Sequence, residues 1–148
     1  MKEEKLNTLM KVAEAVSENS HDQETKVGCV VVGSEGECIL SSYNGFIAGV
    51  NDSKLPKTRP EKYPYMIHSE MNAVCQAAKR GISIKDCSLV CTLSPCIHCC
   101  RMLWQCGIRV IYFKDFYKDF NRQKNMKDLK LEVSSFGKFF KLELKEKY

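Results

Sequence analysis

Two short junctions constrain this chain's fold more than anything else in it. His68-Ser69-Glu70 stands where a helical pattern, Ser69–Arg80, begins. Pro95-Cys96-Ile97-His98-Cys99 follows the short apolar run Ser88–Leu93 and opens a second helix. Ser94 is a good N-cap and Pro95 is favoured at a first helical position, so that helix is expected to start there, run to about Cys106 and stop at Gly107. Two cysteines three apart share one helical face, so a single ion can hold both Cys96 and Cys99. One imidazole and two thiolates leave one tetrahedral position open, as in a catalytic zinc site rather than a structural one. Such a chain has to bring two helix N-termini together, where the dipoles favour thiolates. Glu70, two residues from His68, can reach the open position without being a ligand. Zinc lowers the pKa of bound water toward ~7, and a neighbouring carboxylate can take that proton.

The cysteine count supports a metal reading over a disulfide one. There are nine cysteines, an odd number, and the N-terminus MKEEKLNTLM has neither a signal-peptide apolar core nor a small-residue cleavage site. A reducing, cytoplasmic setting with buried thiols is expected. The apolar runs are strand-length, far short of the ~20 residues of a membrane span, so no membrane partner is expected. Apolar residues at 44% and charged residues at 28% argue against disorder. At 148 residues, 1–148 is expected to be one domain, with 118–148 a packing or assembly segment. The net charge of +5 suits an anionic partner, although Lys138, Lys141, Lys145 and Lys147 also read as a solvated tail.

Elsewhere the pattern alternates. Lys2–Glu18 repeats apolar residues at helical spacing, and Thr25–Val32 with Glu37–Ser42 reads as a hairpin across Gly33-Ser34-Glu35-Gly36. Tyr43–Pro64 is a long irregular stretch, a plausible pocket wall. Ile108–Phe113 reads as a strand, Asn121–Leu129 as a helix and Lys130–Phe136 as a last strand. Tyr112, Phe113, Phe116, Tyr117 and Phe120 read as one aromatic packing cluster. The expected fold class is α/β, a three-layer α/β/α sandwich around a mixed, roughly five-stranded sheet, parallel after residue 80 and opening on an antiparallel hairpin.

H-x-E and P-C-x-x-C, each opening a helix, form the pattern of zinc nucleobase deaminases. Together with TKVGCVVV, SYNGFIAG, KYPYMIHSEMNAV, CTLSPCIHCC and QCGIRVIY, they make residues 17–117 resemble the cytidine deaminase-like superfamily, and within it the deoxycytidylate branch. The resemblance implies His68, Cys96 and Cys99 as zinc ligands and Glu70 as the proton shuttle. It implies hydrolytic deamination of dCMP to dUMP, supplying dUMP for thymidylate synthesis. Asn44-Gly45 is a turn signal in its own right; the resemblance adds a hydrogen bond from Asn44 to sugar or base. It also places the phosphate near Ser20 and Lys26, although Asn19 stands where the family often has arginine, and it makes Tyr117 a substrate contact. His21 is a substitute phosphate donor or a surface histidine. Cys100 is read as packing, and His98 as pointing away from the metal.

The resemblance further implies a homo-oligomer, often a hexamer, with dCTP and dTTP as effectors carrying Mg²⁺; Gly45, Asn51 and Asn72 are the residues to test for that regulation. Relatives with a second zinc use Cys and His after Y-N-G; Ile47–Ile67 has neither, so one Zn²⁺ per chain is expected. Two other readings stay open. A polynucleotide deaminase, acting on tRNA adenosine or single-stranded cytosine, would share the zinc core, but the chain lacks an arginine-rich stripe and has Ser94 rather than Glu before Pro95-Cys96, so a nucleic acid is not the expected partner. A non-catalytic zinc-stabilised interaction module would fill the fourth zinc position from the protein, for example with Cys100.

Overall fold

The computed structural model describes residues 1–118, 120 and 124–144. Strand β1 (Gly28–Val32) is buried at every position, so it has to be covered on both faces. Its side chains divide by the period of two. Cys29 and Val31 join one core cluster; Val30 and Val32 join the other. Helix α1 (Glu3–Ser17) covers the second face. Its Leu6, Leu9, Met10 and Ala13 recur at helical spacing and pack with Val30, Val32, Val90 and Tyr112. The helix lies close to the strand at Gly28, where a Cβ would stand 1.9 Å from the Ala13 carbonyl oxygen. Only glycine permits that approach.

β1 lies between β2 (Cys38–Tyr43) and β5 (Ser88–Leu93), antiparallel to both. β5 pairs in parallel with β6 (Val110–Asp115), the connection running through helix α3 (Ile97–Gln105). Helix α2 (Ser69–Arg80) packs beside α3 against the face of the sheet opposite α1. Gly81 ends α2 in the left-handed region, at φ 67°. The result is the expected α/β/α sandwich on a mixed sheet.

The sheet has six strands rather than five. Beyond β6 come β8 (Phe139–Leu144) and then β7 (Leu131–Phe136) at the edge, both pairings antiparallel, so of the pairings expected to be parallel after residue 80 only β5–β6 is. Lys141 therefore sits inside a strand, paired in register with Tyr112 and Ser134, and Lys138 in the hairpin turn, neither of them in a solvated tail. Lys145 and Lys147 lie outside the described residues, as does the start of the expected helix at 121–123. Helix α4 spans Lys124–Asp128. A second small sheet, β3 (Gly45–Phe46) with β4 (Met66–Ile67), clips the ends of the stretch expected to be irregular.

Three boundaries move for identifiable reasons. The first strand begins at Gly28 rather than Thr25, because side chains of Asp22 and Asn44 take the N–H groups of Thr25 and Val27. Helix α3 is capped at Cys96 instead of Ser94. Ser94 is occupied elsewhere, its Oγ accepting the Tyr117 N–H at 2.6 Å. Ile108 precedes β6, its N–H closing the end of α3 on the Leu103 carbonyl.

The aromatic residues do not form one cluster. Tyr112 faces α1 and meets Phe136 edge-on at 5.2 Å, while Phe113, Phe116 and Phe120 gather with Phe140 on the other side. All nine cysteines are free; Cys38 and Cys75 are exposed, against the expectation of buried thiols. Among the described residues no helix is long and apolar enough to cross a membrane.

Gly28→Ala should force α1 away from β1. A loss of about 1–3 kcal/mol is expected from overpacking, read as a lower urea midpoint at unchanged slope.

Candidate active site

His68 is the N-cap residue of α2 and Cys96 that of α3. Both have extended backbone, and neither uses its side chain to cap. The imidazole and the thiol are therefore available to each other. His68 Nδ1 stands 3.7 Å from Cys96 Sγ and 3.4 Å from Cys99 Sγ. Nitrogen and sulfur ligands of one tetrahedral zinc stand about 3.6 Å apart. Both imidazole–thiol distances match that, and all three donor atoms lie within 4.8 Å of one another. Cys99, donating to it, and then His68 hold the Cys96 thiol well below the usual range, against burial. Cys99 is pushed up by sharing that proton and by burial, and Cys96 raises His68.

Glu70 lies in the first turn of α2, 4% exposed. Its Oε1 accepts from Ser69 Oγ and from Cys91 Sγ, both at 3.1 Å. Cys29, Glu70 and Cys91 form a second compact group of metal-ligating types. The two sulfurs there are 2.9 Å apart. Thiolates on one zinc stand about 3.8 Å apart, wider than this pair, so the group lacks the spacing of a zinc site.

Glu70, His68 and Cys96 line a pocket whose other walls carry Asn44, Arg59, Lys62, Tyr63 and Tyr117. Lys62 is buried with its Nζ 2.7 Å from Asp22 Oδ2. The Asp22 Oδ1 accepts the N–H groups of Glu24 and Thr25. Burial would raise the Asp22 carboxyl, but Lys62 and these two N–H groups outweigh it and hold it below the usual range. Arg59 donates from Nη2 to Thr25 Oγ1 at 2.8 Å and pairs with Glu24 at 3.2 Å. Its Nε is buried without a partner among the described residues.

The model of the cytidine and deoxycytidylate deaminase zinc-binding region matches residues 3–115. The chain belongs to that family. It is 40% identical over 109 residues to a probable deoxycytidylate deaminase of Caenorhabditis elegans, covering 70% of this chain and 54% of the relative. The human deoxycytidylate deaminase is 36% identical over 117 residues, covering 74% and 65%. This chain therefore spans between about half and two thirds of the length of these curated relatives. The crystal structure of dCMP deaminase from the cyanophage S-TIM5, in complex with dCMP and dUMP, superposes with a TM-score of 0.74 at 31% identity, over 86% of this chain and 93% of that one.

Within this deaminase family frame, the structure gathers His68, Cys96, Cys99 and Glu70 as the sequence motifs suggest, and brings Asn44 and Tyr117 into the same pocket. Ser20 and Lys26 are not in the pocket lining. Ser20 is buried with its Oγ accepting the Asp22 N–H, and Lys26 is exposed. His21 is tied to Asp52 at 2.6 Å. Asn72 donates to the Tyr43 carbonyl at 2.7 Å, Gly45 lies in β3, and Asn51 accepts the Ser53 N–H. Cys100 is buried in the core and His98 is exposed. Sequence reasoning missed Arg59 and Lys62, although Lys62 opens the quoted KYPYMIHSEMNAV stretch. It also missed the Cys29–Cys91 pair, which only strand register reveals.

Asp22→Asn should leave buried Lys62 with only the more distant Glu24 carboxylate, 3.5 Å away, and cost about 3 kcal/mol. The Asp22 carboxyl is depressed in the fold, so its contribution is present above the ordinary aspartate pKa of ~3.9 and lost as the pH falls through the folded value. Thermal melts across acid pH should show that loss in the parent and a flatter acid limb in Asp22→Asn. Zinc affinity should weaken on acidification, because bound ligands must be deprotonated; proton release on zinc addition measures it.

Proposed function

We propose that this chain deaminates dCMP to dUMP, releasing ammonia. The observation that carries the reading is the placement of Glu70 beside the His68, Cys96 and Cys99 donors in a pocket whose walls include the cations Arg59 and Lys62. The names of the relatives, and the dCMP and dUMP bound by the cyanophage enzyme, point to the same substrate.

His68, Cys96 and Cys99 would hold one zinc. When bound, it supplies Lewis acidity and a water acidic enough to lose a proton near neutrality. Glu70 takes the proton of the attacking water and delivers it to N3 of the cytosine, which makes C4 electrophilic. Glu70 then takes the remaining proton from the new C4 hydroxyl and passes it to the amino group, which leaves as ammonia as the C4 carbonyl forms. Arg59, a cation of the pocket wall, supports the phosphate. That assignment replaces Ser20 and Lys26, whose side chains do not line the pocket. Tyr117 and Asn44 bound the space for sugar and base. Asn44 already gives its amide N–H to the Thr25 carbonyl and takes the Val27 N–H, so it acts mainly as a wall.

The same reading carries cytoplasmic action, a homohexamer, and regulation by dCTP and dTTP with Mg²⁺. For the regulation alone, the bond from Asn72 to Tyr43 is a supporting contact, since it ties the helix that bears Glu70 to the segment leading to Gly45 and Asn51.

Glu70→Ala should lower dCMP turnover by at least about 10²–10⁴-fold while one zinc per chain is retained, as read by ultraviolet absorbance and metal analysis. Arg59→Ala should raise KM for dCMP far more than for cytidine. Turnover of single-stranded DNA in preference to dCMP would overturn the assignment.

A further inference from the structure

Around Glu70 lies a polar group that the proposed reaction does not use, with Ser69 on the pocket wall and Cys29 and Cys91 outside the lining. Cys29 on β1 and Cys91 on β5 face each other in register, and both are fully buried. Their sulfurs are 2.9 Å apart. Cys91 Sγ donates to Glu70 Oε1 at 3.1 Å, and Cys29 Sγ lies 3.7 Å from the same oxygen. Ser69 Oγ donates to that oxygen at 3.1 Å and stands 3.0 Å from Cys29 Sγ. Ser42 Oγ donates to the Ser69 carbonyl at 2.7 Å and fixes the backbone beneath.

The hydrogen inventory closes without a metal. Ser69 and Cys91 each give their hydrogen to Oε1, and Cys29 gives its own to the Ser69 oxygen or the Cys91 sulfur, both of which can accept. The Ser69 and Cys91 donors meet the same oxygen of the carboxylate. An alanine in place of either cysteine would fill much of the volume but would donate nothing; a thiol is both a small apolar filler and a weak donor.

We propose that Cys91 and Ser69, backed by Cys29, are positioning residues that hold Glu70 by its Oε1 in the orientation needed for proton transfer. A glutamate has three side-chain torsions, and proton transfer demands a narrow geometry. Cys91 and Cys29 hold those torsions from the strands, and Ser69 holds them from the start of α2. The proposal rests on Glu70 as the proton shuttle of the deaminase reading.

The test compares Cys91→Ala, Cys91→Ser and Ser69→Ala with the parent, each loaded with zinc. In Cys91→Ala, kcat for dCMP should fall about ten- to a hundredfold, with KM and the zinc content unchanged. Cys91→Ser keeps a donor and should recover most of that loss. The infrared S–H stretch of Cys91, isolated as the difference between parent and Cys91→Ser, gives a readout independent of turnover. It should lie at the low-frequency end of the thiol range, because the thiol donates to a carboxylate, and should move up when Glu70→Ala removes the acceptor.

Unchanged kcat in Cys91→Ala overturns the proposal. So does an equal loss in Cys91→Ala and Cys91→Ser accompanied by lower melting temperatures, which would mark simple packing. If the parent itself does not turn over dCMP, the deaminase reading fails. The infrared band then decides the positioning role: a band that Glu70→Ala shifts sustains it, and one that it leaves in place overturns it.

Discussion

His68 and Cys96 occupy the same place in their helices. Each is the last extended residue before the first turn, and neither spends its side chain on capping. Most of the structure serves to bring those two ends together. β1 is buried on both faces, so α2 and α3 have to share the side opposite α1. The parallel step from β5 to β6 carries α3 across the sheet and leaves its N-terminus beside that of α2. The result is three donors within one tetrahedron's reach and a carboxylate one turn away.

A different logic holds the far wall. Lys62 and Asp22 are buried as an ion pair, and Asp22 is further satisfied by two backbone N–H groups. Buried pairs of this kind add little net stability compared with apolar packing, but removing one member is costly. Their effect is to fix where the loop crosses, and hence where Arg59 and Tyr63 stand relative to Glu70.

Much of this was legible from the residues. α2 and β5 fall at the expected positions because apolar periodicity and a glycine stop act locally. The metal donors were legible because the motif encodes both ligand type and helical spacing. What escaped depends on contacts distant in sequence. β8 was hidden by lysines whose strand pairing only the sheet reveals. Ser94 has the chemistry of a cap but is claimed by the Tyr117 N–H. Ser20 and Lys26 were placed by analogy with the family, while Arg59 and Lys62 reach the pocket from a loop whose path no short pattern encodes.

Asn44 shows how closely scaffold and pocket are joined. Its amide stands in for a stretch of backbone, taking the Val27 N–H and giving to the Thr25 carbonyl just where β1 begins. It is at the same time part of the surface a ligand would meet. An engineer who changed this asparagine to widen ligand choice would also loosen the entry to the central strand, and the two losses would arrive together. Retailoring has more freedom at Tyr63, which is exposed and lies in a loop outside the main sheet.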